Sequence, residues 1–271
     1  MVQLVITRIP HTFLYNERNK RESLLDEEMR IRREMAERQR SRVKADFSSS
    51  MKNEIMDALS RNDDDVIITK FGIDFCTRDL LTLRSPRWLN DEVINFYMQL
   101  IMERSLSKRT GLPSVHVFST FFYPKLRDRG YDLVRTSTRR VSPSVLKKDL
   151  ILFPIHLGMH WCMAAIDFRS RTISYYDSLH GSNKQCLSVL RDWIAKESMD
   201  KLKCDFDFTG WTLSCPKDIP AQQNGYDCGV FALAFAEHLS RDAQFDFSQS
   251  NMLHWRDRVS YEILTGNFIE L

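Results

Sequence analysis

Gln222-Gln223-Asn224-Gly225-Tyr226-Asp227-Cys228-Gly229 runs directly into Val230-Phe231-Ala232-Leu233-Ala234-Phe235-Ala236. Polar, turn-forming residues give way within two positions to an apolar run, and helical spacing continues to Leu239, so a loop is expected to enter a buried helix at Cys228. A thiol at that point faces the unpaired amides and the dipole of a helix N-terminus, which stabilise an anion and lower its pKa. Since the thiolate is the form that attacks carbonyl carbon, Cys228 reads as the nucleophile of a cysteine hydrolase. Gly225 and Gly229 are small enough for a substrate backbone to approach the sulfur. The side-chain amides of Gln222, Gln223 and Asn224 are candidate donors to a developing oxyanion.

The rest of the composition fits such a chain. Its 271 residues, 43% hydrophobic and 28% charged, suffice for one large core or a domain with an extension. No apolar run approaches the roughly 18 residues of a membrane span. Met1–Pro10 carries Arg8 and lacks a sustained apolar segment, so a secretory leader is not expected and a reducing compartment is. The six cysteines, Cys76, Cys162, Cys186, Cys204, Cys215 and Cys228, show no Cys-x-x-Cys pairing and are expected to be free thiols. A net charge of +3 gives no clustered basic face for nucleic acid.

Moving outward from Cys228, the texture changes near residue 50. Glu17–Lys44 interleaves charges with a thin apolar stripe, Leu24, Leu25, Met29, Ile31 and Met35, and reads as a solvated or partly disordered helix. Residues 1–50 are therefore expected to be an extension, with 46–50 a linker and a helix opening at Met51. From there the compact domain, 51–271, alternates two kinds of element. Beyond Trp88 and a cap at Asn90, the positions Val93, Ile94, Tyr97, Met98, Ile101 and Met102 predict a helix. Leu150–His156, Trp161–Phe168 and Ile173–Tyr176 predict strands, with a turn at Arg169–Thr172. Helical spacing returns at Cys186, Leu187, Leu190, Trp193 and Ile194, and again over Asn251–Leu264. This order predicts an α+β fold with a central, mostly antiparallel sheet flanked by helices.

A thiol of this kind needs a base, and the chain has seven histidines. Spacing alone selects none of them. His160 precedes one strand and Asp177 follows the next, so a hairpin would bring imidazole and carboxylate to one sheet edge, where the carboxylate can orient the ring. Taken singly, residues at such positions are more often ordinary turn residues. His156 and His160 lie four apart but in a Pro154 and Gly158 context that is not helical, which makes them a poor metal chelate.

Four ordered motifs then stand together: Trp88-Leu89-Asn90-Asp91-Glu92-Val93-Ile94-Asn95-Phe96-Tyr97, His156-Leu157-Gly158-Met159-His160-Trp161, Tyr176-Asp177-Ser178, and Gln222 to Gly229. With the lead-in Phe71–Leu80, they closely resemble the Ulp/SENP family of SUMO proteases over residues 51 to 271. The resemblance implies a papain-like fold, with Cys228 as nucleophile, His160 as general base and later acid, Asp177 orienting His160, and Gln222 in the oxyanion hole. It implies that Trp88 and Trp161 clamp the extended Gly-Gly tail of the modifier and that Asp91 and His156 help bind it. Ser137 departs from the family pattern, where many relatives carry tryptophan beside the substrate lysine. Further implications are cleavage after the Gly-Gly of SUMO, in both deconjugation and precursor maturation, by a monomer needing no metal or organic cofactor, and residence in the nucleus or nuclear envelope, or in the cytoplasm. The short extension reads as that of a fragment or short isoform. A same-fold protease for another ubiquitin-like modifier, a related acetyl-transferring enzyme and a catalytically silent modifier-binding module remain the alternatives.

Overall fold

A computed structural model describes Arg30 and residues 47–106 and 111–269 of the chain, and Asp46–Glu270 form one compact unit. The helix expected over Glu17–Lys44 lies, Arg30 apart, outside the described residues. The first helix of the compact unit, α1 (Ser49–Leu59), starts two residues before the expected Met51, because the Ser48 hydroxyl accepts the Met51 N–H at 3.2 Å and serves as its N-cap. Phe47 packs edge-on against His254 and Tyr261, so the chain is already docked where a linker was expected.

A hairpin, β1 (Val66–Lys70) and β2 (Ile73–Cys76), and a short helix, α2 (Thr77–Leu81), lead to α3 (Asp91–Leu106). Asn90 caps α3 as expected: its Oδ1 accepts the Val93 N–H at 3.1 Å, and its Nδ2 donates to Asp79 Oδ1 at 2.8 Å. Asp79 in turn accepts the Cys76 N–H at 2.9 Å. Asn90 thereby links the starts of α2 and α3, next to Trp88 and Leu89.

The central sheet has five strands in the order β3 (Val115–Val117), β4 (Leu150–His156), β5 (Trp161–Asp167), β6 (Thr172–Tyr176) and β7 (Thr212–Ser214). The three long strands match the expected runs and pair antiparallel. The three-residue strands at the two edges pair parallel, so the sheet is mixed. Beyond β3 lies α4 (Phe122–Arg129), and between β6 and β7 runs α5 (Lys184–Leu202).

Two layers of helices bury the sheet, which explains why β4 and β5 read as continuous apolar runs. On one face Leu152, Trp161, Met163 and Ala165 pack with α3, α6 (Cys228–Ser240) and α7 (Met252–Thr265). On the other, Ile151, Phe153, Ile155, Cys162 and Ala164 pack against α4 and α5, whose Cys186, Leu187, Leu190, Trp193 and Ile194 are all buried. The helix beginning at Cys228 is apolar on every side because it lies inside this sandwich: Val230 through Ala236 are all at most 2% exposed.

Removing the cap on α3 tests this arrangement locally. Asn90→Ala is expected to cost about 1–2 kcal/mol of unfolding free energy, read as a lowered urea midpoint; an unchanged midpoint would show that the cap contributes nothing.

Candidate active site

The β5–β6 register pairs Met163 with Tyr176, and continuing it by one residue sets Cys162 across from Asp177. His160 lies just before β5, two residues from Cys162 and on the same side. The hairpin therefore converges imidazole and carboxylate as the sequence led one to expect: His160 Nε2 lies 2.7 Å from Asp177 Oδ1. Asp177 is fixed from behind as well, since its Oδ1 accepts the Leu179 N–H at 2.8 Å and its Oδ2 the Gly181 N–H at 3.1 Å. Burial opposes the Asp177 charge, but the His160 hydrogen bond and these two backbone donors outweigh it and lower the carboxyl pKa.

Cys228 is the first residue of α6 and is 2% exposed, and His160 is the main group acting on its thiol against burial. Burial alone pushes its thiol up. The favourable interaction with His160, reinforced by the backbone N–H groups of Trp161 and Gly229, reverses that and leaves the thiol below its ordinary value. The imidazole responds in the opposite sense. Asp177 first, then the Cys162 and Cys228 thiols, push His160 up to about 12 against the opposing effect of burial. Low exposure here does not mean an inert thiol, because polar donors surround the sulfur. The arrangement favours a thiolate beside an imidazolium.

The loop before Cys228 is braced by Asn224, read above as a candidate oxyanion donor, whose Nδ2 here donates to Asp227 Oδ2 at 2.7 Å. Asn224 Oδ1 accepts the N–H groups of Tyr226 and Asp227 at 3.1 and 3.0 Å, closing a turn. Asp227 does not cap α6. Its carboxylate instead meets the buried Arg256 guanidinium at 2.7 and 2.9 Å, and the same guanidinium donates to the carbonyls of Leu83, Arg87 and Tyr226. One arginine from α7 thus ties the Cys228 loop to the segment leading into Trp88.

Gln222 is held against the neighbouring strand end. Its backbone N–H donates to Ser178 O at 2.8 Å, Ser178 Oγ donates to its Oε1 at 2.8 Å, and its Nε2 donates to Asn224 O. Two tryptophans hydrogen-bond to the backbone beside the site. Trp88, 44% exposed, donates its indole N–H to Gly225 O at 2.8 Å, while Trp161, buried, donates its own to Leu89 O at 3.0 Å. The His156 ring stacks on Trp161 with centroids 4.2 Å apart, whereas His160 turns to Asp177, so the two histidines face different partners. Asp91 opens α3, half-buried, two residues beyond Leu89.

Two glycines carry constraints other than those expected. A Cβ on Gly229 would lie 3.0 Å from Leu89, so its smallness also seats the segment after Trp88 against α6. Gly225 meets nothing within 4 Å and is under no such constraint. Gly181 is the demanding position, since a Cβ there would fall 2.2 Å from Asp177 Oδ2. Nothing in the local sequence marks it as special.

Residues 87–268 match the Ulp1 protease family, C-terminal catalytic domain. A sentrin-specific protease of Caenorhabditis elegans is 45% identical over 208 residues, which cover 77% of this chain and 29% of that protein. The sentrin-specific protease 2 of Homo sapiens is 38% identical over 222 residues, covering 81% of this chain and 37% of that one. The chain thus spans less than two fifths of these relatives' length. Among solved structures, the C-terminal Ulp1 protease domain in complex with Smt3, the yeast ortholog of SUMO, superposes with a TM-score of 0.72 at 31% identity, over 82% of this chain and 96% of that domain. The SUMO protease Ulp1 with its catalytic cysteine oxidised to a sulfonic acid superposes with a TM-score of 0.71 at 32% identity, over 82% of this chain and 97% of that one.

Gly181→Ala is expected to displace the Asp177 carboxylate and with it the His160 ring, lowering hydrolytic turnover on the order of 10²-fold while the fold is kept. Turnover within twofold of the unmodified chain would show that the cradle around Asp177 does not need this glycine.

Proposed function

Because this chain belongs to the Ulp1 protease family, we propose that it is a thiol protease that cleaves after the C-terminal Gly-Gly of SUMO, both releasing SUMO from lysines and maturing SUMO precursors. The observation that carries this reading is the alignment of Cys228, His160 and Asp177, with a thiol lowered and an imidazole raised in pKa at the start of a buried helix.

In the proposed reaction the Cys228 thiolate attacks the carbonyl carbon of the modifier's terminal glycine. The resulting oxyanion is stabilised by the Gln222 side-chain amide, which exchanges its Asn224 acceptor for the new charge, and by the Cys228 backbone N–H at the helix start. As the C–N bond breaks, His160 gives its proton to the departing amine, which is a lysine side chain in deconjugation and a peptide N-terminus in maturation. Water then attacks the thioester, His160 takes the water's proton, and the Cys228 thiolate is restored. Asp177 keeps the ring oriented and its positive form stable throughout.

Trp88 and Trp161 are assigned to clamp the extended Gly-Gly tail. Each is anchored by its indole N–H to a backbone carbonyl; Trp88, 44% exposed, offers its ring as the contact surface, while Trp161, 4% exposed and stacked on His156, backs the site from beneath. His156, stacked on Trp161, and Asp91 are assigned to the modifier surface further out. Catalysis is assigned to residues 51–271 and an ancillary role to residues 1–50. The expected partners are SUMO and SUMO-conjugated proteins, with the enzyme acting as a monomer in the nucleus, at the nuclear envelope or in the cytoplasm, and binding no nucleic acid. Among the described residues no helix is long and apolar enough to cross a membrane.

Cleavage of C-terminal reporters of SUMO and of other ubiquitin-like modifiers tests the assignment: preferential turnover of SUMO supports it, and preference for another modifier would redirect it. Cys228→Ala is expected to abolish turnover yet capture uncleaved conjugate. For Gln222→Ala, loss of one oxyanion donor is expected to reduce turnover on the order of 10²–10³-fold; a near-normal rate would remove Gln222 from the mechanism.

A further inference from the structure

The imidazole of His160 stands at the end of β5 between the two faces of the sheet. Cys228 belongs to the core on one face and Cys162 to the core on the other. The mechanism uses the first thiol and leaves the second without a task. Yet Cys162, Asp177 and His160 converge so closely that one ligand atom from each lies within 4.8 Å of the other two. The donors are a thiol sulfur, an imidazole nitrogen and a carboxylate oxygen.

We propose that His160, Cys162 and Asp177 form an inhibitory site for a divalent zinc-like cation, which switches the hydrolase off by taking the base and its orienting carboxylate as ligands. This inference rests on the proposed mechanism for its consequence, though not for the binding itself. The donor set selects the metal. Sulfur and imidazole ligands favour zinc and its borderline-soft neighbours, while magnesium and calcium require oxygen. In a tetrahedral zinc site, ligand atoms 2.0–2.3 Å from the ion sit about 3.3–3.7 Å from one another. His160 Nε2 and Asp177 Oδ1, now 2.7 Å apart, need to open by under about 1 Å to reach that spacing, and the thiol, within 4.8 Å of both, needs to close by at most about 1.5 Å. Three protein ligands leave a fourth position for water.

The ion enters beside the His160 side chain, which is 18% exposed, whereas Cys162 is nearly sealed. On binding, the proton shared between His160 Nε2 and Asp177 leaves, and the Cys162 thiol gives up its own, so sulfur, nitrogen and oxygen each donate a lone pair to the metal. Each proton released makes binding tenfold tighter per pH unit over the range in which that group titrates. The inhibited state follows directly. An imidazole whose Nε2 is bound to a dication no longer has the affinity to accept a proton from Cys228 or from water, and Asp177 no longer steadies its charge. Cys228 itself is left unligated, which distinguishes this site from capture of the nucleophile by a thiophilic metal.

Cobalt(II) is the spectroscopic probe and zinc sulfate the inhibitor. In the Cys228→Ser chain, cobalt is expected to give a sulfur-to-metal charge-transfer band that zinc displaces, and adding Cys162→Ala is expected to abolish it. In the chain with Cys228 intact, zinc is expected to inhibit reporter cleavage reversibly, with EDTA restoring the rate, and Cys162→Ala or the closer-fitting Cys162→Val, each normalised to its own metal-free rate, is expected to raise the half-inhibiting zinc concentration at least tenfold. Absence of the band from Cys228→Ser, or a half-inhibiting concentration unchanged by the Cys162 substitution that folds, would overturn the site. Failure of the metal-free chain to cleave any reporter would count against the proposed function alone, because the cobalt band is read without turnover.

Discussion

A 2.7 Å hydrogen bond between His160 Nε2 and Asp177 Oδ1 fixes the one ring on which the chemistry turns. Its strength comes from its surroundings. Both groups are partly withdrawn from water, so their attraction is screened less than at a surface, and the carboxylate is satisfied by two backbone donors that ask nothing in return. With Asp177 locked, the imidazole has one favourable orientation, and its charged form is stabilised enough to make the thiolate of Cys228 its natural partner. Burial of Cys228 would otherwise have produced an inert thiol, as it does for Cys186, which burial pushes up to about 12. Two buried cysteines, one on each face of the sheet, thus shift in opposite directions because only one of them faces an imidazolium.

The scaffold around this bond is arranged to keep three separate chain segments in register. The β5–β6 hairpin supplies His160 and Asp177, α6 supplies Cys228, and the segment before α3 supplies Trp88 and Leu89. Arg256 joins the second and third from beneath, meeting Asp227 and several carbonyls while 2% exposed. A buried pair of this kind contributes modest net stability but a large penalty, about 3–5 kcal/mol, when one partner is missing, so its effect is to exclude alternative placements of the loop. Gly229 completes the fit by letting Leu89 rest on the first turn of α6. Leu89 in turn offers its carbonyl to Trp161.

Much of this was legible in the sequence, because the elements that matter most are long and strongly patterned. The runs at 150–156 and 161–167 and the apolar helix after Cys228 are read from their hydrophobic content alone, and the convergence of His160 with Asp177 follows from strand lengths and one turn. The short edge strands β3 and β7 were not legible: three residues carry no period, and their parallel pairing depends on long connections. Gly181 and Arg256 were missed for a different reason. Their roles arise from contacts across the fold, with a carboxylate four residues away for the first and a loop 29 residues upstream for the second, and neither leaves a local pattern. Gly229 was noticed, but not its contact with Leu89, which spans 140 residues. Cys162 looked like any buried apolar position in a strand, and only the register brings its sulfur to the imidazole.

The pH dependence of iodoacetamide addition to Cys228, compared between the unmodified chain and His160→Ala and followed residue by residue, probes the thiolate–imidazolium pair with no assumption about substrate. The account predicts half-maximal reactivity below pH 9.0 in the unmodified chain and above it once the imidazole is gone, because burial then acts on the thiol with its main counterweight removed. Superimposable profiles for the two proteins would contradict it, since the thiol would then owe nothing to His160.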